Sequence, residues 1–192
     1  QPSTSGPVYV GAVLCLLFVM GMLLIKGPTK WWILGATILA IMMSWGKNLA
    51  GFNTFLFDHL PMYNKFRAPS MILVIPQLTF PLMAILALNS IFSNELSKEE
   101  LIKKLKLSAY ITAGILAIAL MMYNTLEYKT NNDRAIQEQL SSISQGDPAF
   151  GSDILNSVVE DRKKLFGEDL TRSALIIGIA FMLIYLYYKG LF

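Results

Sequence analysis

The chain has 192 residues, of which 54% are hydrophobic and only 15% charged. A soluble domain carries roughly 25% charged residues, so this composition belongs to a membrane protein. The net charge of +3 is small and scattered, and no basic stripe interleaves with aromatic residues, which argues against nucleic acid as a partner. Its single cysteine, Cys15, lies in an apolar run and reads as a small filler facing lipid or a neighbouring helix. The chain opens on Gln1-Pro2 with no initiator Met and no basic leader, so the expectation is a fragment of a longer protein.

Crossing a bilayer core of about 30 Å takes about 20 mostly apolar helical residues. Five stretches approach that, giving an all-α, polytopic integral membrane protein with about five spans. The first, 8–25, is uncharged and stops at Lys26-Gly27-Pro28. The second, 31–45, is short, with Trp31, Trp32 and Trp45 placed as interfacial anchors and Lys30 and Lys47 outside them. A third, 71–92, carries Pro76 and Pro81, which mark a packing kink. The fourth is 107–123, and the fifth, 173–188, ends in Tyr185, Tyr187, Tyr188 and Lys189. Lysines at 26, 30, 98, 103, 104, 106 and 189 fall in alternate connections, which favours an N-out, C-in orientation.

Two connections read as amphipathic. Residues 93–106 form a short inner helix with a Ser97/Glu100 capping box. Leu101, Ile102 and Leu105 make its apolar side, and its lysines lie near anionic headgroups. Residues 124–172 form a polar outer segment with two short interfacial helices, the second stopped by Gly167.

The connection 46–70 mixes Phe52, Phe55, Leu56, Phe57 and Phe66 with Asp58, His59, Lys65 and Arg67. It is too apolar for water and too charged for lipid, so an interfacial or re-entrant loop is expected, with Pro69 favouring a non-helical approach to the third span. Lys65 and Arg67, two apart, share one side of an extended backbone and suit a phosphate or pyrophosphate group, Arg supplying a bidentate fork. The alternative is that both snorkel to ordinary lipid phosphates. Asn64, Asp58 and His59 are further candidates. Asp58 and His59, being adjacent, diverge in a helix or strand, which favours a structural over a catalytic role. The lone His lacks a partner for a metal site, and no metal or cofactor motif is present.

Ser44-Trp45-Gly46-Lys47-Asn48, the stretch Leu60-Pro61-Met62-Tyr63-Asn64-Lys65-Phe66-Arg67-Ala68-Pro69-Ser70-Met71, and Asp161-Arg162 followed by Asp169-Leu170-Thr171-Arg172-Ser173 resemble the YfhO-like bacterial membrane proteins, in particular those of Bacteroidetes. That family is similar to the C-type glycosyltransferases, which take a sugar from a polyprenyl-phosphate carrier on the outer face of the membrane. The resemblance implies a multi-pass protein of the bacterial inner (cytoplasmic) membrane acting in the cell envelope. Its partners would be membrane lipids, a polyprenyl-phosphate-linked sugar and the remainder of a longer chain. The superfamily's catalytic carboxylate has no matching position here, so no catalytic residue is carried over. A non-catalytic scaffold and a transporter of lipid-linked intermediates are the alternatives.

Overall fold

The computed structural model describes residues 9–61, 63, 69–93, 96–130, 133, 136, 137 and 148–189. Among these, every regular element is helical. In chain order they are α1 (Ala12–Leu24), α2 (Thr29–Ser44), α3 (Ala50–His59), α4 (Val74–Phe92), α5 (Lys98–Thr125) and α6 (Pro148–Tyr188). Single 3-10 turns occupy Gly46–Leu49 and Pro69–Leu73. Three stretches are long and apolar enough to cross a membrane: Ser70–Phe92, Lys98–Thr125 and Gly151–Tyr188. Helices α1 and α2, of 13 and 16 residues, are only about 20 and 24 Å long at 1.5 Å per residue, short of the about 30 Å hydrocarbon core.

The chain divides into two compact units, Gln1–Thr112 with Tyr185–Phe192, and Ala113–Ile184. In the first, α4 is the central element. Phe18 of α1 stacks on Phe80 of α4 with ring centroids 4.5 Å apart. Gly21 then meets Met83, where an added Cβ would sit 2.7 Å from Cγ and 3.0 Å from the carbonyl oxygen. Both partners advance by three residues, so α1 and α4 run parallel. Only glycine permits so close an approach of the two backbones.

Helix α2 runs the other way. Thr37 Oγ1 shares a 2.7 Å hydrogen bond with Thr79 Oγ1, both buried, while Ile33, one turn earlier, joins Phe18 and Met83 in the buried core. The pairing 37 with 79 and 33 with 83 is antiparallel. Thr37 also donates back to the Ile33 carbonyl at 2.7 Å, so each polar atom of this apolar core is satisfied. At the other end, Lys30 Nζ donates to the Met22 carbonyl at 3.1 Å. This hydrogen bond occupies one of the carbonyls left open by the end of α1.

Proline placement suits α4. Pro76 is its third residue, where the missing N–H has no intrahelical partner to lose, whereas Pro81 lies inside the helix. The outward side of α4 carries Val74, Leu78, Ile85 and Phe92, all exposed. Exposed Trp31 and Trp32 near one end of α2 and Trp45 just past the other stand about 20 Å apart along the axis.

Three expectations from the sequence differ from the fold. Residues 46–59 are helical rather than irregular, in a 3-10 turn followed by α3, which has no buried residue. The inner amphipathic helix and the fourth span are one helix, α5. Its Ser97 accepts the Glu100 N–H at 3.3 Å, but the Glu100 carboxylate pairs forward with Lys104 at 3.0 Å rather than back to the cap. Finally, the second amphipathic helix of the outer segment and the last span are one 41-residue helix, α6. Gly167 lies inside it and stops nothing.

Candidate functional site

The second unit holds the C-terminal part of α5, the segment after it and most of α6. Its organising contact is a clamp across that segment. Asp133, buried, accepts from the Thr130 amide at 2.7 Å and from the Thr130 hydroxyl. Arg162 of α6 closes on the same carboxylate with both guanidinium nitrogens, 2.9 Å to Oδ2 and 3.2 Å to Oδ1. The same Nη1 reaches the Tyr128 carbonyl at 3.1 Å.

A bidentate guanidinium–carboxylate pair is geometrically specific as well as strong. The Arg162 guanidinium, followed by the Thr130 hydroxyl and amide, holds the Asp133 carboxyl well below the usual carboxylate range. Tyr128, the residue that this clamp fastens, has φ +55°, in the left-handed region a non-glycine residue seldom adopts. Its conformation is held from three sides: the carbonyl by Arg162, the hydroxyl by the Tyr123 carbonyl at 3.1 Å, and the ring by Phe166, tilted at 6.1 Å. Local strain of this kind persists only where the surroundings over-determine it.

Below the clamp the two helices enclose an open groove of about 1010 Å³. Its polar end carries Lys163, Lys164, Glu160 and Glu168; further along come Thr171 and Arg172, then Leu120, Leu175 and Ile176. Tyr123 forms the wall between, stacked parallel to Phe166 at 6.2 Å with Lys163 Nζ 5.5 Å from its ring centre. The place of Gly167 explains its identity: a Cβ there would lie 3.1 Å from Tyr123 Cε2, so glycine lets the tyrosine lie against α6. The result is a cleft with two lysines and two glutamates at one end, Arg172 beyond them as the unbalanced cation, and aliphatic side chains at the other end. That profile fits an amphiphile with an anionic head.

The sequence candidates fall elsewhere. Asn64, Lys65 and Arg67 lie outside the described residues. Asp58 and His59 close α3 and are exposed. The His59 ring stacks on Phe55 at 4.5 Å and its Nδ1 donates to the Phe55 carbonyl at 2.9 Å. Among the described residues no hydrogen bond joins it to Asp58. Among those residues, too, no three His, Cys, Asp or Glu side chains group as metal ligands would.

The groove was not singled out by sequence reasoning. Arg162 and Arg172 entered only through the family resemblance. The one local signal was the basic run Arg162-Lys163-Lys164 on the helix that continues into the last apolar stretch.

Among the described residues the protein is all-helical, with three helices apolar and long enough to cross a membrane. No protein-family model, curated protein or solved structure matches the chain.

Proposed function

We propose that the chain is the membrane-embedded part of a YfhO-like envelope protein that binds a polyprenyl-phosphate-linked sugar and serves its transfer to an envelope acceptor. The observation that carries this reading is the groove of the second unit. Lys163, Lys164 and Arg172 would meet the carrier phosphate, and Leu120, Leu175 and Ile176 the first isoprene units. Lys65 and Arg67 of the 46–70 connection remain, on the sequence alone, separate candidates for phosphate contact.

The full proposal is a five-span protein of the bacterial inner membrane, N-out and C-in, with α1 and α2 as the first two spans. Support comes from the parallel α1–α4 and antiparallel α1–α2 pairing, the alternation that successive membrane crossings require. The exposed aliphatic side chains of α4, α5 and α6 add to it, because water would not tolerate so much uncovered apolar surface. The catalytic carboxylate would be supplied outside these residues, which makes the chain the carrier-binding half of the reaction.

The test is binding of a photoactivatable short-chain polyprenyl phosphate to the purified chain in nanodiscs. Wild type should crosslink on α6 near residues 163–176. Lys163→Gln with Arg172→Gln should weaken binding about tenfold, the loss of two charge-assisted contacts at a partly exposed site. Crosslinking unaffected by the double substitution would remove the groove from the function. Retained groove binding with no sugar transfer in cells would instead favour a non-catalytic scaffold.

A further inference from the structure

The first unit has a second concave site, and its chemistry differs from that of the groove. A niche of about 240 Å³ is lined by Leu24, Ile25 and Lys26 at the end of α1, Leu86, Asn89 and Ser90 at the end of α4, and Leu96 before α5. That volume is below the about 300 Å³ at which sites for drug-sized ligands begin, so it accepts a headgroup rather than a whole lipid. Among the described residues, no hydrogen bond engages the Lys26 ammonium, the Asn89 carboxamide or the Ser90 hydroxyl, which makes all three available as donors.

The same end of the unit gathers positive charge. Lys30 sits at the start of α2, and Lys98, Lys103, Lys104 and Lys106 lie in the first three turns of α5. Lys189 is brought there by the edge-on contact of Tyr187 with Phe92, centroids 5.2 Å apart. The acids nearby in sequence are Glu95, Glu99 and Glu100. Leu96, two residues before α5, lines the same niche as Lys26, and Glu100 is paired with Lys104 at 3.0 Å.

Part of this charge has a plain structural use, since cations suit the C-terminal carbonyls of α1 and α4, and Lys30 is engaged in that way. Lys26 is not so engaged.

We propose that this end of the first unit binds an anionic phospholipid, its phosphodiester seated in the niche between Lys26, Asn89 and Ser90. Lys26 supplies the point charge, and Asn89 and Ser90 donate to the non-bridging oxygens. Leu24, Ile25, Leu86 and Leu96 line the start of the acyl region, and the α5 lysines hold further anionic headgroups around the site. This rests on the membrane reading but not on the carrier-lipid reading of the groove.

The test is native mass spectrometry of the chain released from nanodiscs of phosphatidylcholine with and without phosphatidylglycerol. Wild type should retain phosphatidylglycerol in preference to phosphatidylcholine. Lys26→Gln should lower that enrichment about fivefold, and Asn89→Ala should lower it as well, at unchanged thermal stability. Millimolar inorganic phosphate should not displace the lipid. Equal enrichment by wild type and Lys26→Gln would overturn the proposal, as would displacement by inorganic phosphate, which would assign the niche to a free anion. Failure to insert into either nanodisc would overturn this proposal and the membrane reading together.

Discussion

At the residue scale, Asp133 shows how one polar contact can organise a segment that has little core of its own. Its carboxylate takes four hydrogen bonds, two from Thr130 and two from Arg162. Through Arg162 it fixes Tyr128 in its left-handed conformation. The folded carboxyl titrates below its unfolded value, so the ionised form is the one the fold prefers. The stabilisation is therefore complete above the unfolded value of about 4 and is lost as pH falls through that value toward the lower folded one. Asp133→Asn should lower the thermal midpoint at neutral pH. The gap between variant and wild type should begin to narrow as pH falls below about 4 and close only below the lower folded value, where the folded wild type loses the same charge. Unfolding curves of both proteins in one detergent check this; a gap that stays constant with pH would show that the charge of Asp133 is not what matters.

At the element scale, the instructive helix is α6. Its 41 residues extend about 60 Å, twice the thickness of a hydrocarbon core, so a polar and an apolar segment share one backbone. The hydropathy change near residue 173 says where lipid-compatible residues begin, but carries no information on whether the hydrogen-bond ladder is interrupted there. A glycine after an amphipathic stretch resembles a helix stop. Inside a helix it costs only about 1 kcal/mol relative to alanine, and at 167 it is there for the approach of Tyr123. The same blindness split α5 from its amphipathic lead, although no proline or glycine stands between Lys98 and Leu107. By contrast, the ends of α1, α2 and α4 fall within one residue of the expected 25, 45 and 92, whereas their starts differ from the expected 8, 31 and 71 by two to four residues. The clamp was not legible, since Asp133 and Arg162 lie 29 residues apart with no local pattern linking them. Hydrogen exchange discriminates the two readings of α6: amides of residues 166–172 should be protected as strongly as their neighbours in one continuous helix. Fast exchange confined to residues just after Gly167 would restore the two-helix description.

At the scale of the whole molecule, the register of the first unit makes a statement about sidedness that composition could not. Phe18 with Phe80 and Gly21 with Met83 set α1 parallel to α4, and Thr37 with Thr79 sets α2 against both. The connections at 26–28 and 93–97 therefore share one side of the unit, and Trp45, α3 and the start of α4 share the other. Positive charge is unequal between them, with Lys26, Lys30, Lys98, Lys103, Lys104 and Lys106 on the first side. Such a bias orients membrane proteins with the lysine-rich side toward the cytoplasm. Single cysteines introduced in a Cys15→Ser background provide the measurement, read with a membrane-impermeant maleimide on intact cells and again after permeabilisation. Cysteines at Gly27 and Ser93 should label only after permeabilisation, and those at Gly51 and Asp58 should label from outside. Labelling of Gly27 and Ser93 from opposite sides would contradict the parallel α1–α4 packing itself. Labelling of both from outside would preserve the packing and invert the orientation. In that case the lipid niche would face the outer leaflet, and the 46–70 connection would face away from a carrier presented outside.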